Sequence, residues 1–95
     1  MPYYVIAYDI SDTRRRNRFV KTLSDYAFRA QYSLFEMKAG HDVMERLIPK
    51  LKMWIDPEED SMLVYEFTSD DWKKQVRHGL CSKTENQTEN DFMVL

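Results

Sequence analysis

The spacing of apolar residues along the chain predicts that strands and helices alternate. Residues Tyr3 to Asp9 (YYVIAYD) are almost continuously apolar and rich in aromatic and β-branched side chains, which is typical of a central strand buried on both faces. Ser11 or Asp12 can cap a helix after it, because apolar residues then recur at helical spacing, at Phe19, Val20, Leu23, Tyr26 and Ala27. The chain therefore opens with a strand, a tight turn and a helix.

The next segment, from Arg29 to Lys38 (RAQYSLFEMK), alternates between its two sides with a period of two, which indicates β structure. It is either one bent strand or two short strands with a break near Tyr32 and Ser33. After Gly40, a second amphipathic helix is predicted from the spacing of Val43, Met44, Leu47, Ile48, Leu51 and Ile55.

The second helix carries its own start and stop signals. Asp42 is a plausible N-cap, and Pro49 inside the helix predicts a kink or a break there because proline removes a backbone hydrogen bond. Residues 61–68 (SMLVYEFT) predict another strand. Beyond it, Trp72 to Arg77 fits either a short strand or a helical turn, and CSKTENQTEN is polar enough for a loop.

This order of elements predicts an α+β fold on the ferredoxin-like split βαβ plan (βαββαβ), in which an antiparallel sheet carries two helices on one face. We expect a single domain over residues 1–95, with its core in residues 1–68 and a strand-like C-terminal extension in residues 69–95 that grips a dimer mate or another partner. The other sheet face would lie bare. A second copy related by a two-fold axis is the simplest cover for it.

The composition of the chain limits which partners, disulfides and membrane segments it can have. The 95 residues carry a net charge of −2, so an anionic partner would be bound by a local patch rather than by the overall field. The chain has one cysteine, Cys81, so it cannot form an internal disulfide. No matched histidine accompanies Cys81, which argues against a catalytic cysteine nucleophile. No apolar stretch approaches the roughly 20 residues of a membrane span, and the N-terminus lacks a signal-peptide layout. We expect a cytoplasmic protein with no membrane association.

The candidate chemistry lies where the first strand ends. Asp9 closes that strand, and four arginines crowd the start of the helix, at Arg14, Arg15, Arg16 and Arg18. Each opposes the helix dipole by a few tenths of a kcal/mol, which contacts with phosphate would offset. One carboxylate is a poor magnesium site, but a two-fold axis near the strand end would pair two copies of Asp9 around Mg²⁺ or Mn²⁺.

Plainer explanations of the same residues are common. An aspartate between a strand and a helix is more often a turn former or cap, and a run of arginines on a short helix is more often a solvated face. The residues alone leave the function open.

Several separate motifs carry a resemblance to a known family. They are Tyr8-Asp9-Ile10 at the strand end, Arg16-Asn17-Arg18 in the helix, Arg29 followed by Gln31 to Phe35, and IDPEEDSMLVYEF from Ile55 to Phe67. Together they cover most of residues 3 to 67. The chain resembles the small CRISPR-associated protein of the spacer-acquisition step, which accompanies the integrase and is commonly described as a metal-dependent endoribonuclease.

The resemblance implies a ferredoxin-like fold and a symmetric homodimer with Mg²⁺ (or Mn²⁺) between the two copies of Asp9. It implies catalytic roles for Asp9 and Tyr8. Nucleic-acid contact is expected from the arginines and from two residues near the two-fold axis, namely Arg14, Arg15, Arg16, Arg18, Arg29, Ser33 and Phe35.

Three functions are compatible with these expectations. The first is a Mg²⁺-dependent nuclease that cuts single-stranded RNA or double-stranded DNA. The second is a non-catalytic scaffold that bridges integrase dimers and holds protospacer DNA, with Asp9 in a structural role. The third is a toxin-like ribonuclease of the same fold. The first two both need arginines near phosphate, whereas only metal chemistry needs an acidic residue beside them.

Overall fold

The computed structural model describes residues 1–78 and the backbone of residues 93–94. The whole predicted polar loop, from Cys81 to Asn90, and most of the predicted apolar end after it lie outside the described residues. The elements follow one another as β1 (Tyr3–Asp9), α1 (Thr13–Ser24), β2 (Phe28–Gln31), β3 (Leu34–Lys38), α2 (His41–Lys52), β4 (Ser61–Phe67), α3 (Ser69–Trp72), β5 (Val76–Arg77) and β6 (Met93–Val94).

The main sheet has the strand order β2-β3-β1-β4, and every neighbouring pair in it is antiparallel. Strand β1 is central, because it pairs with β3 on one side and β4 on the other. Both long helices bury their apolar faces against the same side of this sheet. The predicted ferredoxin-like βαββαβ plan is confirmed.

The start of the chain follows the predicted pattern closely. Asp12 is the N-cap of α1, and its Oδ2 accepts a hydrogen bond from the backbone N–H of Arg15 at 2.8 Å. The segment from residue 28 to residue 38 forms two strands rather than one bent strand, with a turn at Tyr32 and Ser33. The second of the two alternatives is therefore correct.

Helix α2 differs from its prediction in two details. Its N-cap is Gly40, so the helix begins before Asp42, which lies in the first turn and pairs with Arg46 at 3.8 Å. The prediction of Asp42 as the cap was wrong, because Gly40 is the last residue with extended backbone and the helix begins directly after it, at His41. The helix also continues through Pro49 to Lys52 without a break.

The main core lies between the sheet and the two long helices. Its largest fully buried side chains come from both layers, namely Ile6, Phe19, Leu23, Phe35, Leu47 and Leu51. In β1 the even-numbered residues point into this core, as strand alternation requires. The opposite face of the sheet therefore carries the odd-numbered residues of β1.

Residues after β4 cover part of the helix-free face. The ring of Trp72 stacks on Tyr3 with centroids 4.8 Å apart. Arg77 of β5 forms a buried ion pair with Glu36 of β3 at 2.5 Å. Within the predicted segment from Trp72 to Arg77, the short strand is found at Val76–Arg77, whereas the helical turn α3 precedes it and ends at Trp72. The assignment of this segment to an extension that starts at residue 69 stays a prediction.

One buried carboxylate fastens the turn between β1 and α1. Asp60, just before β4, accepts hydrogen bonds from the backbone N–H groups of Ser11 and Asp56, both at 2.9 Å. Its Oδ2 also accepts from Nη2 of Arg15 at 3.0 Å, and the Asp60 side chain has no solvent exposure. The contact joins chain segments 45 residues apart.

The hydrogen-bond donors around Asp60 lower the pKa of its carboxyl group. Burial alone raises the pKa of the carboxyl, but hydrogen bonds from the amides of Asp56 and Ser11 and from the Arg15 guanidinium outweigh it. The pKa of Asp60 falls from 3.8 to about 2. The carboxylate is therefore charged wherever the protein is folded near neutral pH.

No helix among residues 1–78 is long and apolar enough to cross a membrane.

Replacement of Leu47 by alanine tests the core between α2 and the sheet. Leu47 is fully buried, so Leu47→Ala removes packed methyl groups and leaves a cavity. We expect the free energy of unfolding to fall by about 2 to 5 kcal/mol in urea denaturation. Met53 is 73% exposed, and Met53→Ala should change it by less than about 0.5 kcal/mol. Equal effects of the two variants would contradict this core assignment.

The depressed pKa of Asp60 predicts a pH dependence of stability. The pKa of Asp60 in the folded protein, about 2, lies below the ordinary value of 3.8. The ionised carboxylate therefore contributes its full stabilisation at pH values above 3.8. This contribution is lost as the pH falls from about 4 towards 2. We expect Asp60→Asn to be less stable at pH 7 and to lose less stability across that window, measured by urea denaturation at stepped pH.

Glu58→Gln is the matched control for this experiment, because Glu58 is an exposed acid in the same loop. It should keep the pH dependence of the wild type. An Asp60→Asn protein whose stability falls as steeply as that of the wild type between pH 4 and pH 2 would contradict the role of Asp60.

Candidate nucleic-acid and metal site

A groove of about 920 Å³ opens between the end of β1, the first half of α1 and the β2–β3 turn. It is lined by Tyr8, Asp9, Ile10, Arg16, Asn17, Val20, Lys21, Arg29, Tyr32 and Ser33. Five of the predicted site residues are among them, namely Tyr8, Asp9, Arg16, Arg29 and Ser33. The tertiary structure thus joins residues from three separate segments around one opening.

Asp9 lies at the rim of this groove. It is the last residue of β1 and is exposed, and its backbone is in register with Ser61 of β4. Among the described residues its carboxylate has no hydrogen-bond or ion-pair partner. Strand alternation places Asp9 on the same side of the sheet as Ala7, which is the helix-free face. The carboxylate therefore lies where the groove meets that face.

Arg16 is held across the turn between β1 and α1. Its Nη1 donates to the carbonyl of Ile10 at 3.1 Å, and its Nη2 donates to Oγ1 of Thr13 at 3.3 Å. A guanidinium carries five N–H donors, so these two contacts orient the group and leave it able to bind an anion.

Arg29 reaches the groove from β2 through contacts with two aromatic residues. Its Nη2 donates to the hydroxyl of Tyr8 at 3.3 Å, and its Cζ lies 5.4 Å from the centre of the Phe35 ring. The Tyr8 hydroxyl in turn donates to the carbonyl of Tyr32 at 2.9 Å. Phe35 itself is buried, at 2% exposure, so it supports Arg29 rather than lining the groove.

The other three arginines of the predicted patch lie outside this groove. Arg15 binds Asp60, which places a negative charge against the start of α1. Arg18 lies over the Trp54 ring, 5.6 Å from its centre. Arg14 is exposed, and its side chain makes no hydrogen bond, ion pair or ring contact within the described part of the chain. Roles for these three in nucleic-acid binding stay predictions.

Sequence reasoning missed two residues that shape the site. Tyr32 is predicted as part of a strand break and of the motif from Gln31 to Phe35, but not as a site residue. Asp60 was not selected at all. The acidic run from Asp56 to Asp60 facing four arginines was the available signal, but its partner among them could not be identified without the fold.

The donor set of one chain is too small to hold a metal alone. Asp9 is the one carboxylate that lines the groove, and residues 1–78 contain no group of three or more His, Cys, Asp and Glu side chains placed to bind a metal. Mg²⁺ takes one or two protein carboxylates together with water and phosphate oxygens. An exposed Asp9 in a groove that is also lined by Arg16 and Arg29 fits that chemistry if a second copy supplies its own Asp9.

Comparisons with known proteins identify the family that the chain resembles. The family model described as CRISPR associated protein Cas2 matches residues 1–75. A relative from Thermus thermophilus named CRISPR-associated endoribonuclease Cas2 is 43% identical over 63 residues, which cover 66% of this chain and 67% of the relative.

Solved structures extend the likeness to the fold. A crystal structure of Cas2 has a TM-score of 0.69 and 32% identity, covering 82% of this chain and 84% of that chain. A chain in the solved partial Cas6-RT-Cas1–Cas2 complex has a TM-score of 0.69 and 26% identity, covering 84% of this chain and 91% of that chain. With the family model matched across the whole sheet and both long helices, the chain belongs to the CRISPR-associated Cas2 family.

Proposed function

We propose that this protein acts in CRISPR spacer acquisition as a homodimeric, metal-dependent endonuclease on single-stranded RNA or double-stranded DNA. The observation that carries the proposal is the groove that brings the Asp9 carboxylate together with Arg16 and Arg29. Metal-dependent phosphodiester hydrolysis needs cations that bind the backbone and a metal ligand beside them. The relatives named as endoribonucleases support the same activity.

The helix-free face of the sheet supports the homodimer. Trp72 covers this face at the Tyr3 end of β1, whereas Leu63 and Tyr65 of β4 are 54% and 49% exposed. Leu63 is in register with Ala7, so the uncovered apolar surface lies towards Asp9. Apolar surface of this kind is typical of an interface, and a second copy packed on it by a two-fold axis would bury both patches.

The same packing would complete the metal site. Asp9 lies on the helix-free side of β1, two residues beyond Ala7 and next to the uncovered patch. A two-fold axis near this point would bring the two Asp9 carboxylates together, and they would hold Mg²⁺ or Mn²⁺. The ion would supply Lewis-acid stabilisation of the charge that builds on the scissile phosphate.

The other groove residues bind and orient the substrate. Arg16 and Arg29 would bind phosphate oxygens on either side of the scissile bond. The Tyr8 hydroxyl orients Arg29 by accepting a hydrogen bond from it, and the same guanidinium packs over the ring of Phe35. Ser33 lines the groove at the turn between β2 and β3. Arg14 and Arg18 would add long-range attraction for the nucleic-acid backbone, and Arg15 would add less because Asp60 compensates its charge.

The protein would work together with an integrase. A chain of similar fold is part of the solved complex that contains Cas1, which supports an integrase partner for this chain. Residues 69–95 would grip either the second copy or the integrase, because α3 and β5 border the uncovered sheet face.

A non-catalytic scaffold is the second candidate function. The observation in its favour is the single carboxylate of the groove, since a scaffold needs arginines for phosphate but no metal ligands. In that role the dimer would bridge two integrase dimers and hold protospacer DNA, and Asp9 would be dispensable.

Replacement of Asp9 separates the two functions. We expect Asp9→Asn to lower Mg²⁺-dependent cleavage of RNA or duplex DNA to below about one hundredth of the wild-type rate, because the carboxylates are the proposed metal ligands. Binding of the same nucleic acid without cleavage should persist. Gel-based cleavage assays with and without EDTA measure the effect.

Asp42→Asn is the matched control, because Asp42 is exposed near His41, whose ring contacts Glu66 at the opposite end of the sheet. It should cleave at the wild-type rate. A purified dimer that shows no metal-dependent cleavage, while Asp9→Asn still supports spacer acquisition with the integrase, would establish the scaffold function instead.

The dimer face can be tested separately. We expect Tyr65→Arg to weaken self-association about 30-fold or more, because it places a charge in the proposed apolar interface. Sedimentation velocity over a concentration series measures this. Met53→Arg adds the same charge on the helix side and should leave the dimer intact. A Tyr65→Arg protein that dimerises as tightly as the wild type would exclude this face as the interface.

A further inference from the structure

Tyr32 stands out among the described residues for the exposure of a large ring. It occupies the turn between β2 and β3, and the residue is 91% exposed. An aromatic side chain contributes to stability by burial, so a ring in this position contributes almost nothing to the core. Packing therefore gives no reason for tyrosine at this position.

The turn that carries the ring is fastened at its backbone. The carbonyl of Tyr32 accepts a hydrogen bond from the Tyr8 hydroxyl at 2.9 Å, and the next carbonyl, of Ser33, accepts from the Tyr8 backbone N–H at 3.1 Å. Both contacts anchor the turn to β1, the central strand. The backbone of Tyr32 is thus positioned in advance, so little backbone entropy is lost when a ligand packs on its ring.

The surroundings of Tyr32 define the class of ligand. Tyr32 lines the same groove as three cationic residues, Arg16, Lys21 and Arg29. A cationic groove beside an exposed aromatic ring is the arrangement that binds single-stranded nucleic acids, because phosphates contact the cations while a base stacks on the ring. In a duplex the base faces are already stacked on their neighbours, and a ring at the rim cannot reach them.

We propose that Tyr32 is a base-stacking site for one unpaired nucleotide, next to the phosphate held by Arg16 and Arg29. The inference rests on the proposed function, since the same groove must bind nucleic acid. It adds that the groove prefers a single strand, or an unpaired end, over a continuous duplex. The unpaired base can come from RNA or DNA, because every base presents a π face.

Binding by the full-length protein tests this site. The probes are an unstructured fluorescent RNA, the DNA strand of the same sequence, the corresponding DNA duplex, and an abasic strand that keeps the phosphates but has no bases. EDTA prevents cleavage. We expect Tyr32→Ala to weaken binding of at least one base-bearing single strand about 5- to 100-fold, and to change binding of the duplex and the abasic strand less than about 2-fold.

Three comparisons distinguish stacking from charge and from misfolding. Tyr32→Phe keeps the ring and should bind like the wild type. Tyr32→Ala should leave the slope of log Kd against log salt unchanged, whereas Arg16→Ala should flatten it, because only the arginine neutralises phosphate. Met53→Ala removes another exposed apolar side chain, outside the groove, and should have no effect on any probe.

The failure of this inference differs from the failure of the proposed function. Equal binding of all probes by Tyr32→Ala and the wild type, or equal weakening of the abasic strand, would overturn the stacking site and leave the groove as a nucleic-acid site. Loss of affinity in Tyr32→Phe as large as in Tyr32→Ala would also overturn it. A wild-type dimer that binds none of the four probes would overturn both.

Discussion

The arrangement of the candidate site depends on one buried carboxylate, that of Asp60. Its hydrogen bonds to Ser11 and Arg15 join the loop before β4 to the start of α1, and so fix the point where the central strand ends and the helix begins. Asp9 lies immediately before this junction and Arg16 immediately after it. The charge of Asp60 also compensates a guanidinium at the positive end of the helix dipole, where arginine is otherwise unfavourable.

The arginines at the start of α1 therefore have different surroundings, although they are neighbours in sequence. Arg15 is bound to a buried acid, Arg18 lies over an indole ring, and Arg16 is oriented into the groove by a backbone carbonyl. Helix geometry explains the division, because successive residues are 100° apart around the axis and face different parts of the protein. A cluster that looks uniform in sequence thus combines a structural ion pair with a phosphate-binding candidate.

The two faces of the sheet explain why one chain would supply only part of the proposed metal site. The helix side is a closed core with several fully buried side chains. The other side is covered by Trp72 and Arg77 at one end and stays apolar and exposed around Leu63 and Tyr65. Asp9 belongs to this open side. A site assembled there from two copies would make metal binding depend on dimerisation, whereas the stacking site at Tyr32 would lie within each subunit.

The sequence by itself determined the order and type of the main elements, because the period of the apolar residues is a local property: it predicted β1, α1 and β4 closely, and left the β2–β3 hairpin as one of two alternatives. It also selected five residues of the groove. The tertiary structure alone decided that Arg15 faces Asp60, that Phe35 is buried beneath Arg29, and that the ring of Tyr32 is exposed. These outcomes depend on contacts between residues far apart in the chain, and such contacts leave no periodic signal in the sequence.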